Sequence, residues 1–96
     1  MSHTFKWCID KTRLETYGKQ LFFVYRNGNK YWYLNGKLHR ENGPAIEYAD
    51  GDRVWYLNDK LHRENGPAIE NADGDKRWFL NGLYYNEYDY WKELRK

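Results

Sequence analysis

From Arg53 to Leu57 the chain alternates in the manner of an extended strand. Trp55 and Leu57 fall on one face, Val54 and Tyr56 on the other. A second strand near Pro67 to Ala72 sets Ala68 and Glu70 opposite Ile69. Asp73-Gly74-Asp75 then leads back into the next strand, as Asp50-Gly51 and Asn27-Gly28 do earlier. These pairs predict tight type I′ turns, in which both central residues need positive φ. Asn35-Gly36 and Asn58 begin further turns. Gly43-Pro44 and Gly66-Pro67 end a longer loop, where Gly tolerates unusual φ and Pro opens a strand. Near the C-terminus the period changes. Tyr88, Trp91 and Leu94 or Arg95 fall at helical spacing, after Asn86 as an N-cap and Asp89 in the first turn. This predicts a short helix over about residues 87–95, closing the last hairpin.

The same pattern recurs. Trp32 to Val54 reads WYLNGKLHRENGPAIEYADGDRV, and Trp55 to Arg77 reads WYLNDKLHRENGPAIENADGDKR. The period is 23 residues, and the copies differ only at Gly36/Asp59, Tyr48/Asn71, Arg53/Lys76 and Val54/Arg77. A third copy opens at Trp78 and departs after Gly82. A degenerate one precedes them, with Tyr25 to Tyr31 matching Tyr48 to Val54. The expectation is one all-β domain of tandem antiparallel β-hairpins over residues 1–96. It divides into a degenerate unit (1–31), two full units (32–54 and 55–77), and a partial unit with its capping helix (78–96).

Composition sharpens this. A 96-residue chain makes a thin core, and 20% aromatic residues supply large buried area from few positions. A net charge of +2, with acids interleaved throughout, argues against nucleic acid as the partner. The single cysteine, Cys8, excludes an intrachain disulfide. No apolar run of the ~20 residues needed for a membrane span occurs, and Met1 to Asp10 carries no signal-peptide pattern. The expected location is the cytoplasm, with no membrane contact.

The motifs Asn35-Gly36-Lys37, His39-Arg40-Glu41-Asn42-Gly43-Pro44-Ala45 and Tyr48-Ala49-Asp50-Gly51, with their copies from Asn58, resemble the MORN repeat. They are closest to the MORN-variant repeat of small phage, giant-virus and bacterial proteins. The resemblance covers about Tyr25 to Glu87. It implies stacked hairpins in one elongated, curved sheet, interaction roles, and no shared catalytic residue. The Trp-Tyr-Leu opening departs from the Tyr-Glu-Gly of ordinary units, so lipid binding is not carried over. By analogy, the expected function is a phage- or virus-encoded inhibitor or adaptor acting on a host or defence protein. The alternative is a binder of small ligands, nucleotides or nucleic acid.

The candidate residues repeat with the units. His39 and His62 stand about two strands apart, about 9–10 Å, too far to share one ion. They are expected to hydrogen-bond within their own loops, with no metal and no cofactor. Arg40-Glu41 and Arg63-Glu64 read as paired charges, and as anchors at a partner surface. Trp32, Trp55 and Trp78 read as core. Tyr33, Tyr56 and Phe79 then point to the opposite face, where an exposed aromatic surface would mark a protein partner or a face-to-face homodimer. No nucleophile or phosphate-loop pattern accompanies them, so the chain is expected not to be an enzyme.

Overall fold

The computed structural model describes the backbone of His3–Trp7 and Arg13–Tyr17 and the whole of residues 20–96. Twelve strands and one helix occur among these residues. The strands are β1 (His3–Trp7), β2 (Arg13–Tyr17), β3 (Gln20–Val24), β4 (Lys30–Leu34), β5 (Lys37–Leu38) and β6 (Ile46–Glu47). They continue with β7 (Arg53–Val54), β8 (Tyr56–Leu57), β9 (Lys60–Leu61), β10 (Ile69–Glu70), β11 (Lys76–Leu80) and β12 (Leu83–Tyr85). Helix α1 (Glu87–Leu94) comes last. Every described pairing is antiparallel. The main sheet runs β1-β2-β3-β4-β6-β7-β10-β11-β12, with β5 on β4, and β8-β9 form a separate pair.

The strand expected over Arg53 to Leu57 breaks at Trp55 into β7 and β8. Its first half stays in the main sheet, where Val54 pairs with Ile46 and Ile69. Its second half turns back on β9. Strand β4 divides its labour likewise: Lys30 and Tyr31 face β6, Tyr33 and Leu34 face β5. The tight hairpins β4-β5, β8-β9 and β11-β12 also lie side by side as a second row, which shares β4, β11 and β12 with the main sheet. Backbone bonds stitch that row together. Arg40 N–H donates to Tyr56 O (3.2 Å), Asp59 N–H to Leu38 O (2.9 Å), Arg63 N–H to Phe79 O (3.3 Å) and Gly82 N–H to Leu61 O (2.8 Å).

Turn chemistry differs between the rows. The tight hairpins carry positive φ at both central residues: Asn35 and Gly36, Asn58 and Asp59, Asn81 and Gly82. These are the type I′ turns. At Asp50-Gly51 only the glycine has positive φ, 102°. Gly51 N–H donates to Tyr48 O (3.0 Å) and Tyr48 N–H to Asp52 O (2.9 Å). That is a type I turn followed by a glycine bulge, not the type I′ expected, because the three-residue loop needs one left-handed residue rather than two. Asp59 stands where Gly36 does, in left-handed backbone that costs a non-glycine residue about 1–3 kcal/mol. Its carboxylate offsets part of that by accepting Leu38 N–H at 2.6 Å.

Register aligns two rows of side chains across the main sheet. One is Lys30, Glu47, Arg53, Glu70 and Lys76, opposite charges on neighbouring strands. The other is Phe23, Tyr31, Ile46, Val54 and Ile69. Few side chains are wholly enclosed: Ala45, Ile46, Ala68, Leu80 and Tyr90 are the buried apolar ones among the described residues. The molecule is a plate, 45 × 31 × 16 Å. Its radius of gyration, 14.8 Å, exceeds the ~12.5 Å of a compact chain this long.

Helix α1 begins as expected. Asn86 Oδ1 accepts Asp89 N–H at 2.8 Å. Of the residues at helical spacing, Tyr88 is 72% exposed and Trp91 37% exposed, and the buried ring of the helix is Tyr90. The helix packs against β11 and β12. No described helix is long and apolar enough to cross a membrane.

Candidate functional site

The loops 39–45 and 62–68 carry most of the chemistry, and each is built around its arginine. The Arg40 guanidinium carbon lies 3.8 Å from the centre of the Trp32 ring, and that of Arg63 lies 3.8 Å from Trp55. Arg40 also donates to Pro44 O (3.1 Å) and Glu47 (3.2 Å). Arg63 donates to Pro67 O (3.0 Å) and Glu70 (3.0 Å). The expected Arg40-Glu41 and Arg63-Glu64 pairs do not form. Adjacent residues on an extended loop point apart, and the acids seven positions on lie across the strand within reach. Each arginine is therefore largely spent inside the plate, with cation–π and charge-assisted contacts each worth about 1–3 kcal/mol.

The glycine of each loop answers to this packing. A Cβ on Gly43 would sit 3.0 Å from Arg40 Cζ, and one on Gly66 3.0 Å from Arg63 Cζ. Neither glycine has positive φ. Space for the guanidinium, not unusual backbone, requires glycine there.

Glu41 and Glu64 take the histidines instead. His39 Nε2 meets Glu41 at 3.3 Å, and His62 Nε2 meets Glu64 at 3.0 Å. The other ring nitrogen reaches beyond its own loop. His39 Nδ1 accepts Asn58 N–H (3.0 Å), and His62 Nδ1 accepts Asn81 N–H (2.9 Å). An accepting Nδ1 fixes the tautomer with hydrogen on Nε2, which then donates to the carboxylate. Each histidine, 7% and 9% exposed, thus ties its loop to the next turn. No group of three or more His, Cys, Asp or Glu placed to hold a metal occurs among the described residues.

Trp32, Trp55 and Trp78 are half-buried rather than enclosed. Trp32 is sandwiched between Arg40 and Phe22, whose ring stacks at 4.5 Å and 23°. Trp32 N–H bonds Ala45 O, and Trp55 N–H bonds Ala68 O, each at 2.8 Å. Continuing the β6-β7 register sets Ala45 opposite Trp55 too, so a methyl group stands where Phe22 stands for Trp32. Trp78 has no arginine above it, since Asn86, the helix cap, holds the place of Arg40 and Arg63. Its indole N–H is buried without a partner.

Two grooves open on this side. One, of about 840 Å³, is lined by Trp55 and Leu57 and by the loop residues His39 to Gly43 and His62 to Asn65. The other, of about 600 Å³, lies over Trp32 and Leu34, with Gln20, Phe22 and His39 to Asn42 around it. The chain matches no family model, no curated protein and no solved structure.

The opposite face carries a cluster of rings. Tyr33 meets Phe23 edge-on at 5.6 Å, Tyr25 meets Tyr31 at 5.3 Å, and Tyr31 meets Tyr48 at 6.3 Å. Burial, and then the neighbouring Tyr25, Tyr31 and Asp59, push the Tyr33 hydroxyl above its ordinary value. Burial and then Tyr31 do the same at Tyr48. Tyr33, Tyr56 and Phe79 are half-buried, and Phe79 packs edge-on against Tyr84 at 5.5 Å. Tyr25 and Tyr48, not singled out by the alternation, are the more exposed rings, at 39% and 37%. They flank turns, where strand parity is a poor guide.

Proposed function

We propose that the chain is a non-catalytic protein-binding module on a scaffold of tandem 23-residue hairpin units. The carrying observation is the ring cluster Phe23, Tyr25, Tyr31, Tyr33 and Tyr48 around β3 and β4, strands that pack on their sheet neighbours while α1 packs on β11 and β12. Such rings, apolar with a hydroxyl at the tip, are enriched at protein interfaces. The recurring Arg40 and Arg63 clamps support the repeat scaffold, as do the recurring side-chain stitches. Asn29 Oδ1 accepts Ala49 N–H at 2.8 Å, and Asp52 Oδ1 accepts Ala72 N–H at 2.6 Å. The row of alternating charges from Lys30 to Lys76 offers no continuous basic track for a phosphate backbone. The engaged arginines move the proposed contact from Arg40 and Arg63 to the rings. Tyr33 and Tyr56 stay within it.

Affinity capture from native lysate, read by mass spectrometry, tests this. The wild-type chain should retain a protein that the Tyr25→Ser/Tyr48→Ser variant loses, with retention unaffected by moderate salt. Identical retention by both chains would contradict it.

A further inference from the structure

The stretches Lys37–Glu47 and Lys60–Glu70 have the same sequence, residue for residue. Their surroundings differ. Tyr90, wholly buried, seats its hydroxyl in the second loop, donating to Arg63 O and accepting Gly66 N–H at 3.2 Å. Leu80 beside it is buried, as are Gly66 and Pro67. One copy earlier, Leu57, Gly43 and Pro44 are only half-buried. Arg40 O and Gly43 N–H make no hydrogen bond to any described residue. Arg40 and Gly43 line the 840 Å³ groove beside Trp55 and Leu57, which correspond to Trp78 and Leu80 of β11, the strand α1 packs against; unlike Trp78, Trp55 carries an arginine, Arg63, on its ring.

We propose that this groove is a second phenol seat, open to a tyrosine presented on a helix of a partner protein. The inference rests on the protein-binding reading and names the chemistry its partner carries. The occupant is argued from the molecule itself, since an identical loop already holds a helical tyrosine. The seat offers an acceptor, Arg40 O, and a donor, Gly43 N–H, beside Leu57 and the Arg63-covered ring of Trp55. The phenol of tyrosine satisfies both, because its hydroxyl donates and accepts at the tip of an apolar ring. The volume is that of an ordinary ligand site. At the rim Glu41 and Glu64 have side chains 73% and 72% exposed, which favours basic residues flanking the tyrosine.

The probe is a synthetic peptide with the sequence of Asn86–Lys96, stapled as a helix, titrated into the full chain and followed by amide and indole NMR. Saturable shifts at Gly43 and the Trp55 indole, with Gly66 unmoved, are expected. A peptide with phenylalanine in place of Tyr90 should bind about tenfold more weakly or worse, the loss of one hydroxyl between two buried partners. This change is made in the peptide, so the protein's own folding is untouched. No shift at Gly43, equal binding of the two peptides, or shifts at Gly66 showing displacement of the resident helix would each overturn the seat. If those results came while the ringed face still retained its lysate protein, the seat alone would fall. Loss of that retention would overturn the protein-binding reading instead.

Discussion

Loops 39–45 and 62–68 have the same residues and share the bonds of their histidine and arginine to Glu41 or Glu64, Pro44 or Pro67, and Glu47 or Glu70. The second loop has one more, from Arg63 Nε–H to Asn65 Oδ1 (3.1 Å). Yet one lies open and the other is closed by Tyr90. The difference comes from the next segment of chain in each case. After the first loop the chain runs on through β6, β7 and the β8-β9 hairpin. After the second, Asn86 replaces the arginine and starts a helix. Burial at these loops is therefore a property of the neighbour, not of the repeated sequence. Paired substitutions, one in each copy, separate the contribution of the loop from that of its cover.

The largest effect is expected at the cover itself. Tyr90→Ala removes the one large wholly buried ring among the described residues and should cost about 3–5 kcal/mol. Denaturant unfolding measures it, and the exposed Tyr88→Ala should cost under ~0.5 kcal/mol.

The arginines come next. Arg63→Ala should cost about 2–4 kcal/mol, through the lost ring contact and the charge-assisted bonds to Pro67 O and Glu70. Arg40→Ala should cost less, because its side chain is 28% exposed against 20% for Arg63. Equal losses would mean that the helix adds nothing to the second clamp.

The glycines sharpen the same contrast. Gly66→Ala should destabilise by about 1–3 kcal/mol, since Trp55, Glu70 and Tyr90 leave the guanidinium and the loop little room to shift. Gly43→Ala meets Arg40 equally closely but in the open loop, and should cost less.

Much of the fold is legible in the chain, and the misses share a cause. Alternation places Trp55 and Leu57 together, and Asn86 with Asp89 marks the helix start, because these are local rules. The Arg40–Trp32 stack joins a loop residue to one on β4 eight positions earlier, so adjacency points to Glu41 instead. Tyr90 is hidden because helical spacing selects Tyr88 and Trp91, whereas the buried position is set by a hydroxyl meeting a distant loop's backbone. Gly43 reads as a conformational glycine, though a side chain folded back over it is what demands the space. The break at Trp55 has no signal in the alternation, which runs straight through it.

The smallest effect concerns alkaline pH. Burial raises the hydroxyls of Tyr33, Tyr48 and Tyr90 above their ordinary value. Phenols held neutral in the fold contribute stability that is present below about pH 10 and lost as pH rises through their folded values. Unfolding free energy should therefore fall only above about pH 10, together with phenolate absorbance. Tyr90→Phe should flatten part of that fall, because it removes the phenol whose ionised form could no longer donate to Arg63 O.

Amide hydrogen exchange at Gly43 and Gly66 reads out directly whether the helix closes one loop and leaves the other open. Gly66 N–H, bonded to the buried Tyr90 hydroxyl, should exchange slowly, and Gly43 N–H fast. In Tyr90→Phe the Gly66 rate should rise toward that of Gly43. Equal protection of the two glycines in the wild-type chain would contradict the account: the identical loops would then share one environment, and the helix would close neither.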